Sequence, residues 1–372
     1  MFLAKKIRLK PSEEQEKQLW KSVGTARFIY NWTLAKQEEN YKNGLKFLQD
    51  GELRKQITQL KKSELSWLND VSNNVAKQAV KDACNAYKRF FKGLGNKPRF
   101  KSKKTSKPSF YNDNLKLKVK KNRVLIEKVG WIKTAEQIPM NGPYRNPRIS
   151  FDGKYWYLSV GVEQARQPIE LTDETIGIDM GIKDLAVCSN GTVIKNINKT
   201  ARVRKLEKRL CRLQRSVSRK YEQNKEGSRF VKTRNIIKQE KQIRLLHRQL
   251  TNIRMNHLHQ ATSKIVKTKP STIVMETLNI KGMMKNKHLS KAIAQQKLHE
   301  FKRQVQYKCE KYGIRFIEAD KWFPSSKMCS GCGCVKQQLS LSERTYKCEV
   351  CSLEMDRDFN ASINLSRYQL AM

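Results

Sequence analysis

The stretch Thr175-Ile176-Gly177-Ile178-Asp179-Met180-Gly181 reads as an apolar β-strand that ends on an acid. A second stretch of the same kind, Ser271-Thr272-Ile273-Val274-Met275-Glu276, follows Pro270 and also stops at a carboxylate. A third acid, Asp358, stands in Met355-Asp356-Arg357-Asp358-Phe359-Asn360-Ala361, where a helix begins. Taken singly, Asp179 reads equally well as a turn former and Asp358 as an N-cap. The three together, on elements of one α/β unit, point to a site. Carboxylates at the ends of core strands are costly to desolvate unless positive charge meets them. Lys or Arg could supply it; hard divalent cations, Mg2+ or Mn2+, are the other answer because they prefer carboxylate oxygen. Two such ions roughly 4 Å apart suit phosphodiester hydrolysis, activating water and stabilising the leaving oxygen.

Working outward, Asp184–Ser189 reads as the next strand and Asn190-Gly191 as a hairpin turn. Two long helical stretches, about 201–219 and 229–268, then carry Leu206, Leu210, Leu213 and Val217, and Ile236, Ile243 and Leu250, at heptad spacing. An antiparallel helical hairpin follows. Residues 201–250 hold 17 Lys/Arg against 4 acids, which favours a phosphate-tracking arm over an ordinary solvated pair. A helix over about 290–311, a strand at Ile314–Ala319 and a final helix from around Asp358 complete the unit.

Between that strand and that helix lie five of the nine cysteines. Cys329-x2-Cys332 and Cys348-x2-Cys351 have zinc-ribbon spacing: two knuckles bring four thiolates into a tetrahedron. Four thiolates leave no open position, so the zinc is expected to be structural. Cys334 is a spare thiol with poorer spacing. Such clustering suits metal binding in a reducing cytosol better than a disulfide framework.

The amino-terminal half is organised differently. Phe2–Leu9 is a strand candidate, and Ser12 with Gln15 forms a capping-box pattern ahead of helical periodicity through Leu34. Further helices are expected over 51–61 and 72–92, then a basic, Pro-containing linker from Gly93 to Lys107. Residues 109–165 read as β-rich, with strands at Leu115–Val119, Arg123–Ile126, Arg148–Phe151 and Tyr155–Val162. Turn signals fall at Asn141-Gly142-Pro143 and Asp152-Gly153. The simplest arrangement is a small β-barrel.

The totals narrow the partners. The 372 residues carry 77 Lys+Arg against 34 Asp+Glu, a formal net charge of +43. That excess asks for a polyanion. No apolar run is long enough to span a bilayer, no signal peptide is seen, and the cations run along the whole chain, so nucleic acid is favoured over a membrane surface.

These residues resemble the transposon-encoded TnpB family, compact relatives of type V CRISPR effectors. The resemblance is carried by Gly177-Ile178-Asp179-Met180-Gly181 with Leu185-Ala186, by Met275-Glu276 with Leu278-Asn279-Ile280, by the four-cysteine ribbon, and by Asp356-Arg357-Asp358-Phe359-Asn360-Ala361-x-x-Asn364. Arg8-Leu9-x-Pro11, Arg27-Phe28-x-Tyr30-Asn31 and Pro98-Arg99-Phe100-Lys101 extend it over almost the whole chain. It implies an α/β and α+β multidomain protein. A RuvC-like nuclease of ribonuclease H fold (171–322 and 356–372) would carry the helical hairpin at about 200–268 and a zinc ribbon at 323–355. A wedge-like β-barrel (1–10 and 95–170), holding a helical recognition insert (11–94), would precede it. It implies an RNA-guided, Mg2+-dependent DNA endonuclease with guide RNA and target DNA as partners, in the cytoplasm of a prokaryote. Asp179, Glu276 and Asp358 would be both catalytic and metal-binding, with Asp356 the alternative for the third. The order Asp, Glu, Asp differs from the Asp-Asp-Glu of cut-and-paste transposases.

Two other classes compete: a catalytically silent RNA-guided regulator and a guide-independent, structure-specific nuclease. Phe100, Tyr111, Trp131 and Trp322, lying among basic residues, are candidates for stacking on unpaired bases, although core packing is the commoner use of such side chains.

Overall fold

A computed structural model describes residues 1–138, 142–340 and 342–368. Leu341 and residues 139–141 and 369–372 lie outside it, and with them the Asn141 part of the expected turn. The chain divides into two compact units, Met1–Gln164 and Ala165 onward.

The first unit opens with β1 (Phe2–Lys10), then three helices, α1 (Glu13–Lys42), α2 (Asp50–Leu60) and α3 (Asn73–Phe91). Six strands follow: β2 (Ser109–Tyr111), β3 (Lys118–Lys120), β4 (Arg123–Ile126), β5 (Gly130–Thr134), β6 (Tyr144–Phe151) and β7 (Trp156–Glu163). One antiparallel sheet runs β2-β6-β7-β1-β5-β4-β3, so β1 is central although three helices separate it from its partners in sequence. Its alternate residues Ile7 and Leu9 enter a core with Val124, Ile132, Leu158 and Val160. The capping box forms as expected: Ser12 Oγ accepts from Gln15 N, and Gln15 Oε1 accepts from Ser12 N.

Two expectations change here. The strand expected at Leu115–Val119 shrinks to β3, because the Asp113 carboxylate accepts from the amides of Leu115 and Lys116 and turns the chain there. The ladder begins at β2 and ends at β3, and no hydrogen-bonded pairing joins these outer strands among the described residues. By its hydrogen bonds the expected barrel is an open sheet; the two strands that would close it are three residues each.

The second unit contains β8 (Thr172–Met180), β9 (Asp184–Cys188), β10 (Val193–Lys195), α4 (Ala201–Gln223), a short ribbon of β11 (Lys225–Glu226) and β12 (Arg229–Phe230), and α5 (Arg234–Val266). Then come β13 (Pro270–Met275), α6 (Ile280–Met283), α7 (Ser290–Gln296), α8 (Leu298–Tyr312), β14 (Arg315–Glu318), β15 (Thr345–Lys347), β16 (Glu354–Asp356) and α9 (Arg357–Ser366). The central sheet runs β10-β9-β8-β13-β14, antiparallel up to β8 and parallel beyond it. The helix expected over 290–311 is two helices. Lys297, at φ 55°, sits in the left-handed region and separates α7 from α8 without a Gly or Pro to announce it.

Period-two alternation assigns the faces of this sheet. Ile176, Ile178 and Met180, with Ile273 and Met275, pack on Leu258, Ala261 and Ile265 of α5 and on Phe301 and Val305 of α8. Gly177 and Val274 point the other way, toward α9. The α4–α5 hairpin zips along Val203, Leu210, Leu246 and Leu250, with Leu206, Leu213, Ile243 and Ile253 beside them, in agreement with the heptad reading.

Candidate active site

Asp179 falls in phase with Gly177, and Glu276 with Val274, so both carboxylates emerge on the α9 face. Register fixes them as neighbours: Ile178 pairs with Met275 across the parallel β8–β13 ladder, and each acid is the next residue. The Met180 amide donates to Glu276 Oε1 at 3.3 Å, tying the two strand ends together.

The third acid arrives on a helix whose position Gly177 dictates. A Cβ built on Gly177 would lie 2.0 Å from Ser362 O and 2.3 Å from Ser366 N, so α9 rests directly on the strand's backbone. From Ser362 back to Asp358 is one helical turn, ~6 Å. From Gly177 forward to Asp179 is two strand residues, ~6.6 Å. The close approach therefore brings Asp358 to the strand ends. Asp356 is used otherwise: it is exposed, and its Oδ1 caps α9 by accepting from the amides of Asp358 and Phe359.

Electrostatics agree with the convergence. Burial pushes the Asp179 carboxyl well above the usual carboxylate range, and the neighbouring charges of Glu276 and Asp358 push it further; the Arg357 guanidinium opposes them. Burial raises Glu276 to about 7 against the pull of the Met180 N–H. Arg357 lies 3.3 Å from Asp358 Oδ1, with side chains only 14% and 16% exposed, and it also reaches Ser340 O at 3.4 Å. Three carboxylates that sense one another's charge, with Arg357 paired to Asp358, offer the oxygen donors that Mg2+ and Mn2+ take, although among the described residues only the four cysteines bring their ligand atoms within 4.8 Å of one another.

The ribbon passes a sharper test. The thiols of Cys329, Cys332, Cys348 and Cys351 all lie within 4.8 Å of one another, and the Cys329–Cys351 and Cys332–Cys348 sulfurs are 3.5 Å apart. Tetrahedral zinc at ~2.3 Å from each sulfur asks for sulfur–sulfur distances of ~3.8 Å, so the four fit. Cys334 stands outside the cluster and contributes through its backbone: its carbonyl accepts from Cys329 N, and its amide donates to the Cys332 sulfur.

Several residues that support the site were not singled out for these contacts by the sequence. Asn360, fully buried, donates to Met328 O and accepts from Ser330 N, while Asn364 donates to Ser325 O and Met328 O. These amides, one turn apart on α9, clamp the first zinc knuckle to the helix that carries Asp358. Both stand in the motif that carries the family resemblance, which marks the residues without giving their contacts. Of the stacking candidates, Trp322 is 80% exposed and Phe100 52%, whereas Tyr111 and Trp131 are partly buried.

Comparison with known proteins is consistent with this architecture. Residues 157–287 match a family described as "Probable transposase", residues 299–365 a "Cas12f1-like, TNB domain", and residues 1–46 a "Helix-turn-helix domain". In the structure that last segment is β1 followed by the single helix α1. A protein of Streptomyces pristinaespiralis named "Putative RNA-guided DNA endonuclease" is 30% identical over 371 residues, covering 98% of this chain and 89% of its own. "Putative RNA-guided DNA endonuclease InsQ" of Escherichia coli K12 is 29% identical, over 97% of this chain and 90% of its own. Among solved structures, a Cas12f1–sgRNA–target DNA complex shares the fold with a TM-score of 0.58 at 15% identity, covering 98% of each chain. With this likeness running nearly end to end, the chain belongs to the transposon-encoded TnpB family.

Proposed function

We propose that the protein is an RNA-guided DNA endonuclease that hydrolyses phosphodiester bonds at Asp179, Glu276 and Asp358 with Mg2+ or Mn2+ as cofactor. One observation carries the reading: two strand ends and one helix start converge three carboxylates on a single sheet face, at a burial that disfavours their joint ionisation. The names of the relatives support RNA guidance and DNA cleavage. Divalent cations bound there supply the charge that keeps the acids ionised and a Lewis acid for phosphate oxygen.

The chain's own residues do the rest. Parallel strands hold Asp179 and Glu276 in fixed register, and α9 brings Asp358 to them. Arg357 balances part of the negative charge. The ribbon's four thiolates leave zinc no open position, so its work is to hold α9 rather than to react. The basic α4–α5 arm offers phosphate contacts, and the exposed Trp322 and Phe100 offer faces on which unpaired bases stack. Guide RNA would choose the target by pairing, while the protein reads duplex shape and a short flanking motif. On the family resemblance, the first unit's sheet is the wedge-like element and α1–α3 its recognition insert. The working place is the cytoplasm, on nucleic acid.

The test begins with the protein purified from its host together with the RNA it retains. That RNA is sequenced, and matched plasmid is offered in Mg2+ to wild type and Asp179→Ala. Matched cutting by wild type alone is the expected result. RNA retained without cutting in either Mg2+ or Mn2+ would replace the nuclease by a binding-only regulator.

A further inference from the structure

The turn that follows Asp179, between β8 and β9, is held by a residue more than a hundred positions away. Gln296 Nε2 donates to Gly181 O at 3.2 Å and, at 3.4 Å, to Ile182 O. Ile182 O also accepts from Asn196 Nδ2 at 2.8 Å, so Gly181 O is the carbonyl that depends most on Gln296. The Gln296 side chain is buried. It ends α7, and the residue after it is Lys297, in the left-handed region at φ 55°. A strained residue persists where its surroundings over-determine it.

Gln296 is also one member of a polar chain whose direction is fixed at its far end. Arg254 of α5 can only donate. Its Nε reaches Asn198 Oδ1 at 2.7 Å, which leaves Asn198 Nδ2 to donate to Gln296 Oε1 at 3.4 Å. Gln296 Nε2 is then the group that faces the two carbonyls. Glu207 of α4 balances the guanidinium: its Oε1 accepts from Arg254 Nη2 and from Gln295 Nε2, both at 2.6 Å. Satisfying two turn carbonyls accounts for an amide at 296. It does not account for an ion pair, one partner from each helix of the arm, set to orient that amide. The location of the turn does. Gly181 lies two residues beyond Asp179, ~6.6 Å along the strand. Between them, Met180 N donates to Glu276 Oε1. What fixes this turn fixes the strand end on which two of the three acids are set.

We propose that Gln296 is a positioning residue for Asp179: oriented by Arg254 and Asn198, it acts through the Gly181–Ile182 turn to hold the Asp179 carboxylate in register with Glu276 for metal binding. This rests on the metal-dependent site proposed above. The test uses the full-length chain as wild type, Gln296→Met, Asn198→Ala, Asp179→Ala and Gln304→Met. Methionine keeps the length of glutamine and donates nothing. Gln304 is a fully buried amide of α8 that contacts Thr262 and Glu300, so its replacement reports the loss of a buried amide away from the turn. Mn2+ binding is read on RNA-free protein from the electron paramagnetic resonance of the free ion. Cleavage at saturating matched DNA, and DNA affinity, are read on RNA-loaded protein. Gln296→Met should weaken Mn2+ binding roughly 10- to 100-fold and slow saturated cleavage by a similar factor, with DNA affinity kept. Asn198→Ala should move both in the same direction by less, and it decides the matter should Gln296→Met not fold. Gln304→Met should bind Mn2+ as wild type does. Unaltered Mn2+ binding in Gln296→Met, or in Asn198→Ala where that variant decides, or an equal loss in Gln304→Met, would overturn the positioning role while Asp179→Ala still marks the site. Mn2+ bound by Asp179→Ala as tightly as by wild type would instead remove the metal site itself, and the positioning role with it.

Discussion

Glu276 shows how much a single buried carboxyl sets the behaviour of a site. Its pKa is raised from the usual 4.5 to about 7, so between those values the native protein holds a proton that the unfolded chain has lost. Stability therefore falls as pH rises through that window, by roughly 2–3 kcal/mol between about pH 5 and pH 8 from this group alone in protein free of divalent cation. Urea titrations at the two pH values should show the decline, Glu276→Gln should remove its own share and leave that of the raised Asp179 carboxyl, and Mg2+ should oppose the decline less in the variant than in wild type. Gly177 makes a different prediction. Alanine there puts a methyl group into the α9 backbone, so Gly177→Ala should cost ~3 kcal/mol or more and displace Asp358. A melting temperature within a degree of wild type would contradict that contact. The acids were legible in the sequence because an apolar run that ends on a carboxylate is conspicuous. The burden on Gly177 was not, since a glycine in a strand signals close approach without saying what approaches. Nor was the Arg357–Asp358 pair, because sequence neighbours touch only when both side chains turn inward.

Among elements, α9 depends most on a neighbour remote from the sheet. Asn360 and Asn364 bind it to the first zinc knuckle through buried hydrogen bonds, and Arg367 adds a bond to Ser330 O. Asn360→Ala removes a donor and an acceptor and strands their partners, at a cost of roughly 2–3 kcal/mol. Zinc release should go further. Treatment with a strong chelator should unfold the ribbon, loosen α9 and abolish cleavage even when Mg2+ is resupplied; hydrogen exchange along 357–366 reads the loosening directly. If α9 stays protected after zinc loss, the clamp has been misread. The capping box at Ser12, the heptad hairpin and the ribbon were readable because each is a local pattern with a fixed spacing. The break at Lys297 was not, because nothing in Gln296-Lys297-Leu298 disfavours a helix, and tertiary packing of α7 and α8 on different neighbours decides it. The shortening of the strand expected over 115–119 likewise follows from an Asp113 turn that overrides strand propensity.

At the scale of the whole molecule, charge dominates. A net +43 repels itself, so the RNA-free protein should be less stable at low ionic strength and gain stability from any bound polyanion. Retained RNA should raise the melting temperature, and association should weaken by roughly a thousandfold from about 50 to about 200 mM salt if six or more phosphates are neutralised. A shallow salt dependence would mean that the surface cations are solvated rather than engaged. This level was the plainest in the sequence, because charge needs no fold to be counted. The division at Gln164 and the path that leaves β1 and returns three helices later needed long-range pairing, which no local pattern encodes. The order of elements has a temporal side as well. α9 is synthesised after all five strands of the sheet it completes, and domains fold as they leave the ribosome. A nascent chain can thus assemble the sheet, with two carboxylates in register, while the third is still untranslated. With the site as proposed, each new molecule passes its infancy unable to cut the chromosome that encodes it, and is armed only when α9 docks on Gly177.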